Sequence, residues 1–189
     1  MSCDNLEQLL KNLRKGNQRF VNDPKYEIER RETSDQDPCV IVVSCSDSRV
    51  SMPLIFNFPF LGTFFEVKIA GQVMDSSGLE SIKYAVNTFN PLAIIMLGHT
   101  ECGAVKDTLE SIINPEKHYI RTEFPVLTTT IAPSIYKVLR KDLPKSQVLH
   151  QSIIQNTLDR AGQLNFIFED RIPVIPAIYN LLSGKVSLL

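Results

Sequence analysis

Two short runs without polar alternation, Val40-Ile41-Val42-Val43 and Leu92-Ala93-Ile94-Ile95-Met96-Leu97, constrain this chain more than any other feature. A strand with one wet face alternates apolar and polar residues. A strand that is apolar at every position must be covered on both sides, as in a parallel sheet flanked by helices. Thr63-Phe64-Phe65-Glu66-Val67-Lys68-Ile69 alternates better and predicts a third strand. Ile172 to Ile178 predicts a last strand near the sheet edge, where Pro173 and Pro176 cost least. Helical spacing fills the intervals. Ser76-Ser77-Gly78-Leu79-Glu80 places a hydroxyl cap three residues before a glutamate, and Ile82, Ala85, Val86 and Phe89 follow on one face up to about Asn90-Pro91. Further helices are expected over 102–113, 131–142 and 146–161, with a less patterned stretch over 114–130. Strands alternating with helices make the class α/β, with a mostly parallel sheet.

At the N-terminus, Leu6, Leu9, Leu10, Leu13, Asn17 and Phe20 recur at helical spacing, so residues 4–21 predict an amphipathic helix packed on the rest. Residues 22–37, with Pro24, read as an extended polar connection running up to Pro38. Residues 1–37 thus form an N-terminal helical arm, expected to pack on the core or on a partner subunit. The 189 residues suit one domain, 1–189. Twenty basic residues against twenty-one acidic ones leave a net charge of −1, which offers no footprint for nucleic acid or an anionic membrane surface. The uncharged stretch 84–100 is interrupted by Asn87, Asn90, Pro91 and His99 and is no membrane span. Residues 1–10 carry Asp4 and Glu7 and no secretory pattern, so a cytoplasmic location is expected.

In a reducing compartment the four cysteines, at 3, 39, 45 and 102, are thiols rather than disulfides. Two clusters carry chemistry because each follows a predicted buried strand, where open α/β sheets place their ligands. One is Cys45-Ser46-Asp47-Ser48-Arg49; the other is His99-Thr100-Glu101-Cys102-Gly103. Two thiolates and an imidazole suit zinc, and three protein ligands leave a fourth position for water or for Asp47. Arg49 can hold the Asp47 carboxylate in a bidentate pair. Cys102 is expected at a helix N-terminus, whose dipole favours the thiolate. Cys39 reads as a small buried hydrophobe. Nothing near Cys3, His118 or His150 completes a site.

Cys45-Ser46-Asp47-Ser48-Arg49-Val50 and Gly98-His99-Thr100-Glu101-Cys102-Gly103-Ala104-Val105 resemble the two signature segments of the β-class carbonic anhydrases. The resemblance runs from Gly16-Asn17-Gln18-Arg19-Phe20 through Ser81-Ile82-Lys83-Tyr84-Ala85-Val86 to Tyr179-Asn180-Leu181-Leu182-Ser183-Gly184-Lys185-Val186, and is weakest over 106–170. It implies a zinc enzyme that converts carbon dioxide and water to bicarbonate and a proton through a zinc-bound hydroxide. By the same resemblance Cys45, His99 and Cys102 are the constant ligands, and Asp47 either binds zinc in a closed form or turns to Arg49 to open the site. Gly103 offers its N–H to substrate or product, and Gln36, Phe65 and Tyr84 line a carbon dioxide pocket shared with a neighbouring subunit. A homodimer or homotetramer is implied. Two thiolates leave less charge on the metal than three imidazoles, so activity is expected to favour alkaline pH.

One departure stands out. The family usually carries Arg-Asn-Ala-Gly-Asn where this chain has Lys68-Ile69-Ala70-Gly71-Gln72. Lysine lacks the planar guanidinium fork and isoleucine has no amide, so hydrogen bonds that brace this loop must be rearranged. A family-like zinc protein with lost activity, serving as a binding protein, and a hydrolase of carbon disulfide or carbonyl sulfide are the alternative readings. With no tryptophan in the chain, the regulatory bicarbonate pocket of some relatives is not inferred. A thiol phosphatase or redox enzyme fits poorly, because Cys45 has no glycine-rich phosphate cradle and no Cys-x-x-Cys pair occurs.

Overall fold

The computed structural model describes residues 5–32, 35–58, 61–169 and 171–189. Its sheet contains β1 (Val40–Ser44), β2 (Phe64–Lys68), β3 (Ala93–His99), β4 (Val174–Tyr179) and β5 (Val186–Leu188), in the order β2-β1-β3-β4-β5. β1 lies parallel to β2 and β3, β3 lies parallel to β4, and β5 is antiparallel. The two non-alternating runs are therefore the central pair, with Ile41 opposite Ile94 and Val43 opposite Met96. All four side chains are fully buried. Each such burial contributes about 1.5–3 kcal/mol, which makes this pairing the spine of the fold.

Alternate residues of these strands serve opposite faces. Ile41, Val43, Ile94 and Met96 pack against Ile82 and Ala85 of α4 (Ser76–Phe89) and against Ala161, Leu164 and Phe168 of α8 (Lys145–Phe168). Val42, Leu97 and Ala177 face the other way, under Met52 of α3 (Met52–Ile55). A third cluster joins α5 (Gly103–Ile113), α7 (Pro125–Leu139) and α8 around Cys45 and Cys102.

Several sequence expectations need correction. The cap of α4 is Asp75, which accepts from the Gly78 N–H at 2.8 Å; the serines fall inside the first turn. The helix does end at Asn90, in the left-handed region, just before Pro91. The stretch 114–130 holds α6 (Tyr119–Glu123) and the start of α7, where Pro125 occupies the first helical position without losing a needed hydrogen bond. β4 lies one strand in from the edge and is not the last strand. β5 pairs only with residues 177–179, so Pro173 and Pro176 lie beyond that ladder, and the Pro176 carbonyl accepts from the Leu189 N–H at 3.0 Å.

The N-terminal arm also differs. α1 (Leu6–Asn22) begins at the Asn5 cap, but every one of its residues is at least partly exposed, and Leu6 and Leu13 retain 69% and 56% of their accessible surface. Instead of an extended connection, α2 (Pro24–Glu32) folds back on α1: the Phe20 and Tyr26 rings lie 4.8 Å apart, and Arg30 donates to the Phe20 and Val21 carbonyls. Pro24 suits a first turn, and the Asp23 carboxylate accepts from the Lys25 N–H. Cys3 lies outside the described residues. No helix among the described residues is long and apolar enough to cross a membrane.

Candidate metal centre

β1 and β3 run side by side in the same direction, so both signature clusters emerge at one end of the sheet. Cys45 follows the last residue of β1, His99 is the last residue of β3, and Cys102 caps α5 after a turn in which Glu101 takes a left-handed backbone (φ 55°). The Thr100 N–H, bonded to the Tyr179 carbonyl at 2.9 Å, carries the sheet ladder right up to that turn. Cys45, His99 and Cys102 are all buried, and one ligand atom from each lies within 4.8 Å of the other two. The two sulfurs are 3.9 Å apart and free.

The hydrogen bonding fits a metal. His99 Nδ1 lies 2.9 Å from the Thr100 carbonyl, which can only accept, so the proton of a neutral ring sits on Nδ1 and Nε2 presents its lone pair. Nε2 is buried and has no partner among the described residues. An orphaned imidazole nitrogen facing two thiols is costly unless a ligand completes it. Burial opposes charge on His99, but the charge on the Cys45 sulfur raises its pKa above the ordinary value. The Cys45 thiol is pulled well below the ordinary thiol range, chiefly by the hydrogen bond from the Cys102 thiol, with help from the Gly71 N–H. Cys102 is correspondingly pushed up, as the partner that keeps the proton, although the backbone N–H groups of Ala104 and Val105 at the start of α5 pull it down. A bound cation would ionise both sulfurs.

Asp47 stands at the mouth. Arg49 donates to it through Nε at 3.0 Å and Nη2 at 2.7 Å, and the Arg49 backbone N–H adds a third bond at 2.9 Å. The guanidinium holds the Asp47 carboxyl well below the usual carboxylate range. Its Oδ2 remains 3.9 Å from His99 Nε2. Gly103 opens α5, and a Cβ there would meet no atom within 4 Å, so space lies over its Cα.

The other expected residues are not brought to this centre in the single chain. Phe65 of β2 and Tyr84 of α4 each pack against Phe89, with centroids 6.1 and 5.6 Å away, at the β2 edge of the sheet. Gln36 is exposed before β1. His118 and His150 are exposed as well, and Cys39 is exposed rather than buried.

The altered loop is reused locally. Lys68 donates to the Val50 carbonyl just beyond Arg49, and the Ile69 side chain packs at the junction of two core clusters. Sequence reasoning missed the role of Gly71, whose N–H donates to Cys45 Sγ at 3.4 Å. Its signal was a glycine just after a strand: φ is +61°, and a Cβ would come within 2.6 Å of Ile131 Cδ1.

Residues 40–186 match the family model described as carbonic anhydrase. The carbonic anhydrase of Mycolicibacterium smegmatis is 32% identical, with 94% of this chain and 90% of that protein covered. Carbonic anhydrase 2 of Mycobacterium tuberculosis is 34% identical over the same shares. Among solved structures, the β-carbonic anhydrase CcaA superposes with a TM-score of 0.82 at 20% identity, covering 95% of this chain and 94% of that one.

Proposed function

The chain belongs to the β-class carbonic anhydrases, and from that premise we propose that Cys45, His99 and Cys102 hold a zinc ion at which carbon dioxide is reversibly hydrated to bicarbonate and a proton. The observation that carries the reading is the buried set of three ligand atoms with one orphaned imidazole nitrogen. When bound, zinc lowers the pKa of water from 15.7 to about 7 or somewhat above, and so supplies a nucleophile near neutrality.

The protein's own groups do the rest. His99 is fixed in the correct tautomer by the Thr100 carbonyl. Arg49 holds Asp47 aside through two side-chain bonds, which leaves the fourth ligand position to water; Asp47 turning inward would close it. The Gly103 N–H, at the start of α5, donates to a bicarbonate oxygen, a role that the open space over the Gly103 Cα supports. Gln36, Phe65 and Tyr84 line a pocket for carbon dioxide that a neighbouring subunit completes. Their position away from the centre in one chain fits a shared pocket, and the uncovered stripe of α1 fits assembly as a homodimer or homotetramer. A tetrameric relative from Sordaria macrospora, with a TM-score of 0.60, has this fold. Free sulfurs 3.9 Å apart favour a reducing compartment, the cytoplasm, because oxidation would remove two ligands at once. The chain acts as one domain over 1–189, with the N-terminal helices as its arm.

Stopped-flow hydration of carbon dioxide by zinc-quantified protein tests the reading. We expect a zinc-dependent rate that rises from about pH 7 to about pH 9 and is abolished in Cys45→Ala. Full zinc occupancy without a rate above buffer at any of these pH values would overturn it.

A further inference from the structure

The turn that carries Gly71 is held from a distant part of the chain. Gly71 (φ +61°) and Gln72 (φ +59°) both adopt left-handed backbone, a conformation that a lone glutamine avoids. Within the turn the Gln72 N–H donates to the Ile69 carbonyl at 2.9 Å, and α8 adds a contact from 85 residues away: Asn156 Nδ2 donates to the Gly71 carbonyl at 2.9 Å. Thr157 Oγ1 also approaches Gln72 Oε1, at 3.3 Å, but its single hydrogen has a shorter option in the Ile153 carbonyl at 3.0 Å. Asn156 therefore supplies the firmer tether. It is 1% exposed, and its Oδ1 makes no hydrogen bond among the described residues, so the side chain's one bond is spent on this turn.

The fold places α8 where this can happen. Gly98 in β3 has no side chain, and a Cβ there would fall 2.2 Å from Thr157 Oγ1. The helix closes onto the end of β3 at that spot and brings Asn156 beneath the turn. On its other side Gly71 is confined by Ile131 of α7 and Ala104 of α5. Asn156 fixes the peptide on the carbonyl side of Gly71, and the Gly71 N–H, in the preceding peptide of the same tight turn, points at Cys45 Sγ.

We propose that Asn156 is a positioning residue of the metal centre: by gripping the Gly71 carbonyl it aims the Gly71 N–H at the Cys45 sulfur and so sets how much charge that thiolate donates to the metal. This rests on the zinc reading of Cys45, His99 and Cys102. An N–H donated to a coordinating thiolate stabilises its lone pair, and outer hydrogen bonds of this kind tune ligand and metal together.

Cobalt(II) replacing zinc makes the effect visible, because the sulfur-to-cobalt charge-transfer band reports the energy of the thiolate lone pair independently of turnover. In Asn156→Ala the band should move to lower energy and zinc affinity should fall about 10-fold. Asn156→Asp keeps the shape but cannot donate as a carboxylate, and should show the same two changes if alanine is not tolerated. Thr157→Val should leave the band where the unmodified protein has it. A band that stays in place in Asn156→Ala or Asn156→Asp, even with a lowered melting temperature, would show a merely structural role and overturn the proposal. Loss of folding in both Asn156 variants while Thr157→Val folds would overturn it too. Protein that binds cobalt through thiolates yet hydrates no carbon dioxide would sink the activity and leave this assignment standing. Protein that takes up no cobalt would remove the centre and both readings.

Discussion

α1 and α8 are buried in inverse proportion to the regularity of their apolar pattern. α1 repeats leucines at helical spacing, yet Leu6, Leu10 and Leu13 stay exposed. α8 mixes Ile153, Ala161, Leu164 and Phe168 with Ser152, Asn156 and Thr157, and all of them are buried. The cause is the number of surfaces each helix meets. α8 lies against the sheet, against α7 and beneath the turn at Gly71, so different parts of its circumference need different chemistry, and no single stripe results. α1 carries one stripe, which α2 covers near Phe20 while Leu6, Leu10 and Leu13 stay open. Periodicity reports that a face needs cover, while burial depends on whether a matching surface is within reach.

The contrast can be broken most sharply in the core. Leu164→Ala should cost about 2–5 kcal/mol in urea unfolding, because it empties a fully buried site beneath the sheet. A loss below about 1 kcal/mol would mean that α8 is less firmly seated than its burial implies.

A smaller effect is expected where α8 meets α7. The Asp159 carboxylate accepts from Ser134 Oγ at 2.6 Å, Lys137 Nζ at 2.7 Å and Gln155 Nε2 at 3.0 Å. Burial alone would raise its pKa, but these donors, Lys137 foremost, bring it below the ordinary value. With the folded pKa depressed, the stabilisation is complete above the unfolded carboxylate range and is lost as pH falls toward the folded pKa. Asp159→Asn should cost about 1.5–3 kcal/mol near neutrality. It should also flatten the acid side of the stability curve, and an acid limb identical to that of the unmodified chain would assign the pH dependence elsewhere.

The smallest effect on the chain itself is expected in α1. Leu10→Asp combined with Leu13→Asp should change the unfolding free energy of the isolated chain by less than about 0.5 kcal/mol. The same pair should lower the mass in solution measured by light scattering, because it charges the face offered to a second copy. An unchanged mass with a large loss of stability would show that α1 folds onto its own core in solution.

The candidate site was legible in proportion to how local it is. Cys45, Asp47 and Arg49 fall within five consecutive positions, and His99 and Cys102 within four, each group just past a β-branched or apolar run that suits a covered strand. The Asp47–Arg49 pair needs only a two-residue step, and the structure forms it as a bidentate bond. The cap of α4 was misjudged because Asp75 and the serines beside it carry equally good acceptors. Cys39 was misjudged because a cysteine next to an apolar run resembles a core residue, whereas its place just before β1 leaves it exposed. Asn156 could not be recognised at all. An asparagine among glutamines and serines looks like any wet helix face until the turn at Gly71 is laid over it.

The buried central strands, a mostly parallel sheet and the two ligand clusters at the strand ends are written in short stretches of residues. Those features follow from side-chain chemistry and backbone period over a few neighbouring residues. That α8 closes at Gly98, that Asn156 bonds the Gly71 turn and that Leu6, Leu10 and Leu13 of α1 stay open emerges in the folded chain alone. These depend on which distant segments the crossing connections bring together, and contacts of that kind leave no local pattern because each partner satisfies its chemistry with a residue far along the chain.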